Sequence, residues 1–537
     1  MASELSFPSR RSAVMSNRGV VATSQPLAAQ AGMSMLQQGG NAVDAAIAAA
    51  AALNVVEPMA TGLGGDAFAL IYLMGDRQPR ALNASGRAPY AMDLETLKRL
   101  GYRHMPDAGI HSVTIPGALD GWCSMLDNYG SMSLAQVLVP AIQLAEQGFP
   151  VTEIIAHTWK MSSAKLRPNV DATRTYLPAG KAPEPGEVIL QRDLGRTLRK
   201  VAAGGRDVFY RGEIAEAIVA CAQKEGGLLT LQDLQDHRSS WVTPISTDYY
   251  GFHIYECPPN GQGLIVLLAL NILEGFDLQS LRHNSADYLH CLIEAIKLAF
   301  ADGSRYVSDP AFNDLPLERL LSKSYAQERR SLIDRNRAAD IVEEGALNTQ
   351  EDTVYLAVTD KDGNSVSFIS SLYQPFGSGI VVPNTGICLQ NRGSLFAFEG
   401  DHPNRLEPHK RPYHTIIPAM AFRDGELFLT FGVMGGFMQP QGHVQVLLNI
   451  IHFGMDVQRA LDAPRFRYIQ GSECAFEPNI PTAVRQQLVA KGHRVIELED
   501  PYSQQFGGGQ AIMIHPATKA LIAGSDPRKD GCAVGCW

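Results

Sequence analysis

Apolar and polar positions divide the chain into a helix-rich part and a strand-rich part, with the change near residue 350. Thr23 or Ser24 with Pro26 marks a helix start, and Gly39-Gly40 stops that helix. An alanine-rich helix follows from Asn41. Its small side chains allow close approach of a neighbour, which places it in the interior. TGLGGDAFALIYLM (61–74) is a glycine turn feeding a strand. Leu134 to Glu146 and Asp287 to Ala301 carry apolar residues at helical spacing, and residues 115 to 340 are mainly helical by period. Residues 1–15 read as a loose tail. The charged, aromatic-poor run 329–350 reads as a linker.

After residue 352 the period becomes that of strands. Val354 to Thr359 and Ser365 to Phe368 flank the turn Lys361-Asp362-Gly363. A second hairpin spans PAMAFRDGELFLTFGV (418–433), and a helix is predicted from His443 to Phe453. Strands and helices in these proportions fit a sheet covered by helices.

Composition narrows the function. The 537-residue chain is 45% hydrophobic and 19% charged, which is globular. Its length alone allows several domains. Net charge is −9 without a basic face, which argues against nucleic acid. No segment has the length and apolarity of a membrane span, and MASELSFPSRRSAV has no signal-peptide core. A cytoplasmic location is therefore expected. The eight cysteines form no CxxC pair and are expected as free, buried thiols.

No metal or cofactor motif stands out. His402, His409 and His414 lie among prolines and lysines, and Gly62-Leu63-Gly64-Gly65 precedes a strand rather than a helix. Thr353 is a sharper candidate, because an acidic linker ends at Asp352 immediately before it. A threonine hydroxyl needs a base, and its own α-amine, with a reference pKa of about 7.7–8.0, can serve once exposed. The hydroxyl would attack the Asp352 carbonyl. An N-to-O acyl shift and ester hydrolysis would then free the amine. The same pattern also suits an ordinary strand start. Gly435-Gly436, between a strand and a helix, could aim two amides at one spot as an oxyanion hole, or simply form a turn.

Taken together, QGGNAVDAAIAAAAALNVVEP, GLGGDAFALIY, TIPGALDGW, ECPPNGQGLIVLLALNILEGFDL, DTVYLAVTDKDGNSVSF, FGSGIVVPNTGICLQN, MGGFMQPQGH, ALDAPRFRY and GSDPRKDG occur in the order of the γ-glutamyltranspeptidase family. From about residue 17 to 528 the chain resembles that family, of the N-terminal nucleophile hydrolase superfamily. The resemblance implies an α+β fold, a four-layer αββα sandwich. It also implies a zymogen that cuts itself between Asp352 and Thr353. Fragments 1–352 and 353–537 would stay together as a heterodimer in one composite unit, with further dimerisation left open. It implies Thr353 as nucleophile, Gly435 and Gly436 as oxyanion donors, and Ser371 in place of a supporting threonine. No metal or organic cofactor is implied.

The substrate-reading positions depart from the family pattern. His414-Thr415 replaces a serine pair, and Arg87 stands near the place of the carboxylate-binding arginine. Positions that bind the substrate ammonium in relatives carry Tyr373, Arg392 and Leu395. Arg392 repels a cation and attracts an anion. The pocket is therefore expected to take a small amide with a carboxylate, held by Arg87, Arg392, His414 and Thr415. The pattern resembles a branch that includes oxamate amidohydrolases, and cephalosporin acylases belong to the same family. Oxamate fits the expectation. A glutathione hydrolase or γ-glutamyltransferase with a rearranged pocket is the alternative, and a non-catalytic binding relative is a third reading.

Overall fold

The computed structural model describes residues 11–339, 352–398, 400–496 and 504–536. Two seven-stranded antiparallel sheets form its centre. The strands that build them are β1 (Val14–Ser16), β2 (Gly19–Thr23), β3 (Asp66–Tyr72), β4 (Arg80–Ala84), β5 (Ser240–Val242), β6 (Ile245–Tyr249) and β7 (Phe252–Glu256). Later in the chain come β8 (Asp352–Asp360), β9 (Ser365–Tyr373), β10 (Ala419–Arg423), β11 (Glu426–Met434), β12 (Gly508–Ile514), β13 (Leu521–Ser525) and β14 (Cys532–Gly535). One sheet runs β14-β2-β8-β9-β3-β4-β5, and the other β1-β13-β12-β11-β10-β7-β6.

Period-2 alternation sorts the side chains into layers. Val354, Leu356 and Val358 of β8 face a core shared with helices α1 (Pro26–Gln37) and α2 (Ala42–Val56). Tyr355 and Ala357 face the other sheet. Leu429, Phe431 and Val433 of β11 pack toward α3 (Gly263–Leu273), α4 (Ala286–Tyr306) and α5 (Met438–Ile451). The result is the expected α+β sandwich of layers α, β, β and α.

The two sheets meet closely where a glycine clears an aromatic ring. A Cβ on Gly432 of β11 would lie 2.4 Å from Tyr355 Cε2 of β8. Polar bridges cross the same interface. Ser365 Oγ and Thr430 Oγ1 are 2.8 Å apart, and the Ala419 amide donates to Ser367 Oγ at 3.1 Å. These contacts fix the start of β8 relative to the end of β11.

Helix α2 is buried along its whole length, as its alanines predict. Its N-terminal Ala42 amide donates to Asp360 Oδ2 at the far end of β8 (3.0 Å). Its C-cap, Glu57, lies toward the opposite end of that strand.

Several boundaries differ from expectation. The cap of α1 is Gln25, whose side chain accepts from Leu27 and Ala28 amides. The predicted helix 134–146 is two helices, Leu134–Val137 and Val139–Gln147. Helix α5 starts at Met438, not His443, because Pro440 lies in its first turn, where no N–H partner is needed. Residues 14–16 of the predicted tail form β1, while residues 1–10 lie outside the described residues. The predicted linker begins within a helix, Lys323–Arg330, and its residues 340–350 lie outside the described residues. All eight cysteines are free thiols, six of them buried. Among the described residues, no helix is long and apolar enough to cross a membrane.

Candidate active site

Strand β8 begins at Asp352, one residue before Thr353, and the chain runs unbroken between them. Asp352 pairs with Tyr373 and Val354 with Ser370, so β9 carries one extra residue opposite Thr353. Such a bulge re-aims side chains. Here the Leu372 amide turns away to the Ala60 carbonyl (2.9 Å), and Ser371 swings its hydroxyl to the start of β8. Ser371 Oγ donates to the Asp352 carbonyl at 2.8 Å, and Thr353 Oγ1 donates to Ser371 Oγ at 3.5 Å. The Tyr373 amide also donates to Ser371 Oγ (2.7 Å). Tyr373 has φ +80, a left-handed conformation that is strained for a bulky residue. Thr353 is 1% exposed.

Gly435 and Gly436 follow β11, with φ +113 and +53. The turn's backbone hydrogen bonds run from the Met438 and Gln439 amides to the Gly435 and Gly436 carbonyls (2.8 and 3.1 Å). Gly507 packs behind the turn. A Cβ on Gly435 would lie 3.0 Å from Gly507 Cα, and one on Gly507 would lie 2.3 Å from the Met434 carbonyl oxygen. Gly508 pairs with Met434 and clears the stem of Lys529, whose Cγ would lie 2.6 Å from an added Cβ.

Four of the five substrate-reading candidates gather in one buried group. Arg392 donates to Thr415 Oγ1 at 2.8 Å, and its guanidinium lies 4.6 Å from the Tyr373 ring centroid. His414 Nδ1 accepts from the Ile416 amide (3.4 Å), so Nε2 carries the proton and donates to Asp66 Oδ2 (3.1 Å). Burial, with Arg392 and Arg411 nearby, drives the His414 pKa well below its ordinary value, so the ring is neutral. Gln262 ties this group to the glycine turn. Its Nε2 donates to the Thr415 carbonyl (2.6 Å) and to the Gly436 carbonyl (2.8 Å). Arg87 is engaged elsewhere. It pairs with Asp309 and donates to the His409 carbonyl, both at 3.1 Å.

Three acidic or basic residues at this site were not singled out in the sequence. Asp66 pairs with Ser371 across the sheet and accepts from the Gly86 and Gly117 amides, Gln390 and His414. Burial pushes its pKa up to about 6, against the pull of Arg392. Lys529 Nζ donates to Asp352 Oδ1 at 3.1 Å, and the Thr353 amide donates to the same oxygen at 3.0 Å. Glu57 stands beside Lys529 and accepts from Ser24. Each is tied to the site by a partner more than a hundred residues away (His414 and Gln390 for Asp66, Asp352 for Lys529, Lys529 for Glu57), and only GLGGD, NVVEP and GSDPRKDG mark them in the sequence.

The three histidines near residue 410 separate in the fold. His414 meets Asp66, His409 stacks on Tyr90, and His402 accepts from the Asn404 amide. Among the described residues, His290, Glu294 and His493 have the spacing of metal ligands. Lys297 Nζ already sits 2.7 Å from Glu294 Oε1, and the two imidazoles bond each other at 2.8 Å.

The architecture is that of an N-terminal nucleophile hydrolase. The family model described as gamma-glutamyltranspeptidase matches residues 28–536. The chain is 40% identical over 531 residues to the glutathione hydrolase-like YwrD proenzyme of Bacillus subtilis, covering 97% of this chain and 100% of that protein. It is 35% identical over 533 residues to the oxamate amidohydrolase proenzyme of Klebsiella pneumoniae, covering 97% and 99%. The crystal structure of cephalosporin acylase from Bacillus halodurans matches with a TM-score of 0.94 and 45% identity, over 100% of this chain and 99% of that one. The protein belongs to the γ-glutamyltranspeptidase family, and it is an amide hydrolase.

Proposed function

We propose that the chain is a zymogen whose Thr353 cuts the Asp352–Thr353 bond and then serves as the N-terminal nucleophile of the mature enzyme. The observation that carries this reading is the position of Ser371. Its hydroxyl polarises the Asp352 carbonyl and lies against the Thr353 hydroxyl. In the first step Thr353 Oγ1 bonds to the Asp352 carbonyl carbon and the C–N bond breaks. The hydroxyl proton ends on the nitrogen. Water then hydrolyses the ester and leaves a carboxylate on Asp352 and a free amine on Thr353. Strands β8, β9 and β14 lie among strands from before residue 352, which supports two fragments that remain associated.

In the mature enzyme Thr353 Oγ1 attacks the substrate carbonyl with its α-amine as base. The Gly435 and Gly436 amides receive the oxyanion. Water resolves the acyl-enzyme. Arg392 and Thr415 hold a carboxylate on the substrate, with Tyr373 under the guanidinium. His414, neutral and tied to Asp66, orients the loop instead of supplying charge. Arg87 is held by Asp309 and stands behind Arg392 in this role. A small amide bearing a carboxylate, such as oxamate, is the substrate these residues support best. The likeness to a glutathione hydrolase-like protein favours γ-glutamyl amides as the second reading.

Intact mass of the wild type beside Thr353→Ala tests the nucleophile. Two fragments meeting between residues 352 and 353, in the wild type only, are expected. One intact chain in both would overturn the reading. Turnover of oxamate against glutathione then decides the substrate.

A further inference from the structure

Two carboxylates, Asp352 and Glu57, and one cation, Lys529, meet at the bond in front of Thr353. Glu57 is the C-cap of α2, so its carboxylate sits at the negative end of a helix and is buried as well. Both placements disfavour an anion. Burial pushes the Glu57 pKa up to about 7, against the pull of Lys529. Burial also works against the Lys529 ammonium, but Asp352 and Glu57 outweigh it and hold its pKa above the ordinary value. Asp530 is the other charged group near both. The stem of Lys529 crosses Gly508, beside the end of β11 that leads into the Gly435 turn. A buried ammonium is thus aimed at one point. That point is Asp352 Oδ1, which takes hydrogen bonds from Lys529 Nζ at 3.1 Å and from the Thr353 nitrogen at 3.0 Å.

We propose that Lys529, backed by Glu57, is the positioning residue for the Thr353 nitrogen: a clamp on Asp352 before the cut and the cation beside the α-amine after it. The proposal rests on Thr353 being the nucleophile. Before the cut, Lys529 holds the Asp352 side chain so that the Asp352 carbonyl stays on Ser371. Cleavage releases Asp352 from its peptide bond and turns the Thr353 amide into an amine. A nearby ammonium disfavours the protonated form of that amine, and a nearby carboxylate favours it. Lys529 therefore keeps the amine neutral, and able to act as a base, at lower pH. Glu57 opposes this effect once it ionises.

The test uses full-length Lys529→Met, Lys529→Arg and Glu57→Gln beside the wild type and Thr353→Ala. Intact mass over time gives the rate of the cut. The Thr353 α-amine pKa is read from the pH dependence of its reductive methylation by formaldehyde and cyanoborohydride, followed on the N-terminal peptide of the small fragment. In Lys529→Met the cut is expected to slow about tenfold or more, and the amine pKa to rise by about one unit. In Glu57→Gln the amine pKa is expected to fall. Lys529→Arg keeps the charge and should cut and titrate like the wild type. A Lys529→Met chain that stays whole while Lys529→Arg is cut also supports the charged clamp. A cut rate and amine pKa unchanged in Lys529→Met would overturn the proposal while leaving the nucleophile intact. A wild type that stays whole, like Thr353→Ala, would remove the nucleophile reading itself and this one with it.

Discussion

Ser371 Oγ donates to the carbonyl of Asp352 at 2.8 Å, although the two residues lie in different strands and nineteen positions apart. A hydroxyl has one proton to give. Here it goes to the carbonyl, while the Tyr373 amide and the Thr353 hydroxyl donate to the Ser371 oxygen. In the proposed self-cleavage this arrangement would stabilise negative charge on the Asp352 oxygen as the Thr353 hydroxyl attacks. Ser371→Ala is expected to slow self-cleavage by about 10²-fold to 10³-fold, the loss seen when one oxyanion donor is removed. Ser371→Thr keeps the hydroxyl and should mature close to normally. Intact mass over time distinguishes the two.

The Gly435 turn makes a different demand. Its φ of +113 and a Cβ position 3.0 Å from Gly507 Cα both exclude a side chain without strain. Gly435→Ala is expected to lower kcat about 10²-fold by moving the amide, with KM little changed. It should also cost about 1–3 kcal/mol of stability. Steady-state kinetics and urea unfolding of the same sample separate the two effects. An unchanged kcat in a folded Gly435→Ala enzyme would place the oxyanion elsewhere.

Local features of this site were legible in the sequence, and long-range ones were not. The hairpin after Thr353, the alanine-rich interior helix and the Gly435-Gly436 turn follow from period, small side chains and turn chemistry. The ordered motifs carried the fold. The bulge at Ser371 could not be read, because it exists only in the pairing of β9 with β8. Asp66, Glu57 and Lys529 stayed hidden for a related reason. Each becomes a site residue only through a partner far along the chain, such as Arg392, Asp352 or His414. The pairing of Arg87 with Asp309 was equally out of reach, because those two residues lie far apart in the chain.

Glu57 predicts a pH dependence of stability. Its pKa is about 7 in the folded chain, above the ordinary carboxylate value of 4.5. The folded state therefore binds this proton more tightly than the unfolded state. The associated stability is fully present below about pH 4.5 and is lost as pH rises through about 7. Glu57→Gln does not titrate. Its stability relative to the wild type should rise by up to about 3 kcal/mol across that window and then level off. Urea unfolding of both proteins at several pH values measures the difference. A difference independent of pH would mean that the Glu57 pKa is the same in the folded and unfolded chain.

Arg392 offers the sharpest probe of the substrate. The guanidinium is fully buried, bonded to Thr415 and set over the Tyr373 ring, so its position is fixed before any ligand arrives. A carboxylate placed there gains a charge-assisted contact in both the ground state and the transition state. Arg392→Gln keeps a polar side chain but removes the charge. KM for oxamate should rise about 10-fold to 100-fold while kcat changes only a few-fold, because the lost contact is made alike in the ground state and the transition state. Asp66 sharpens the expectation. Without the arginine its carboxyl is left with less positive charge nearby, so its pKa should rise further from about 6. The variant's KM effect should therefore be accompanied by a pH profile altered near that value. An oxamate KM unchanged in Arg392→Gln would remove Arg392 from substrate recognition, and γ-glutamyl amides would become the leading substrate class.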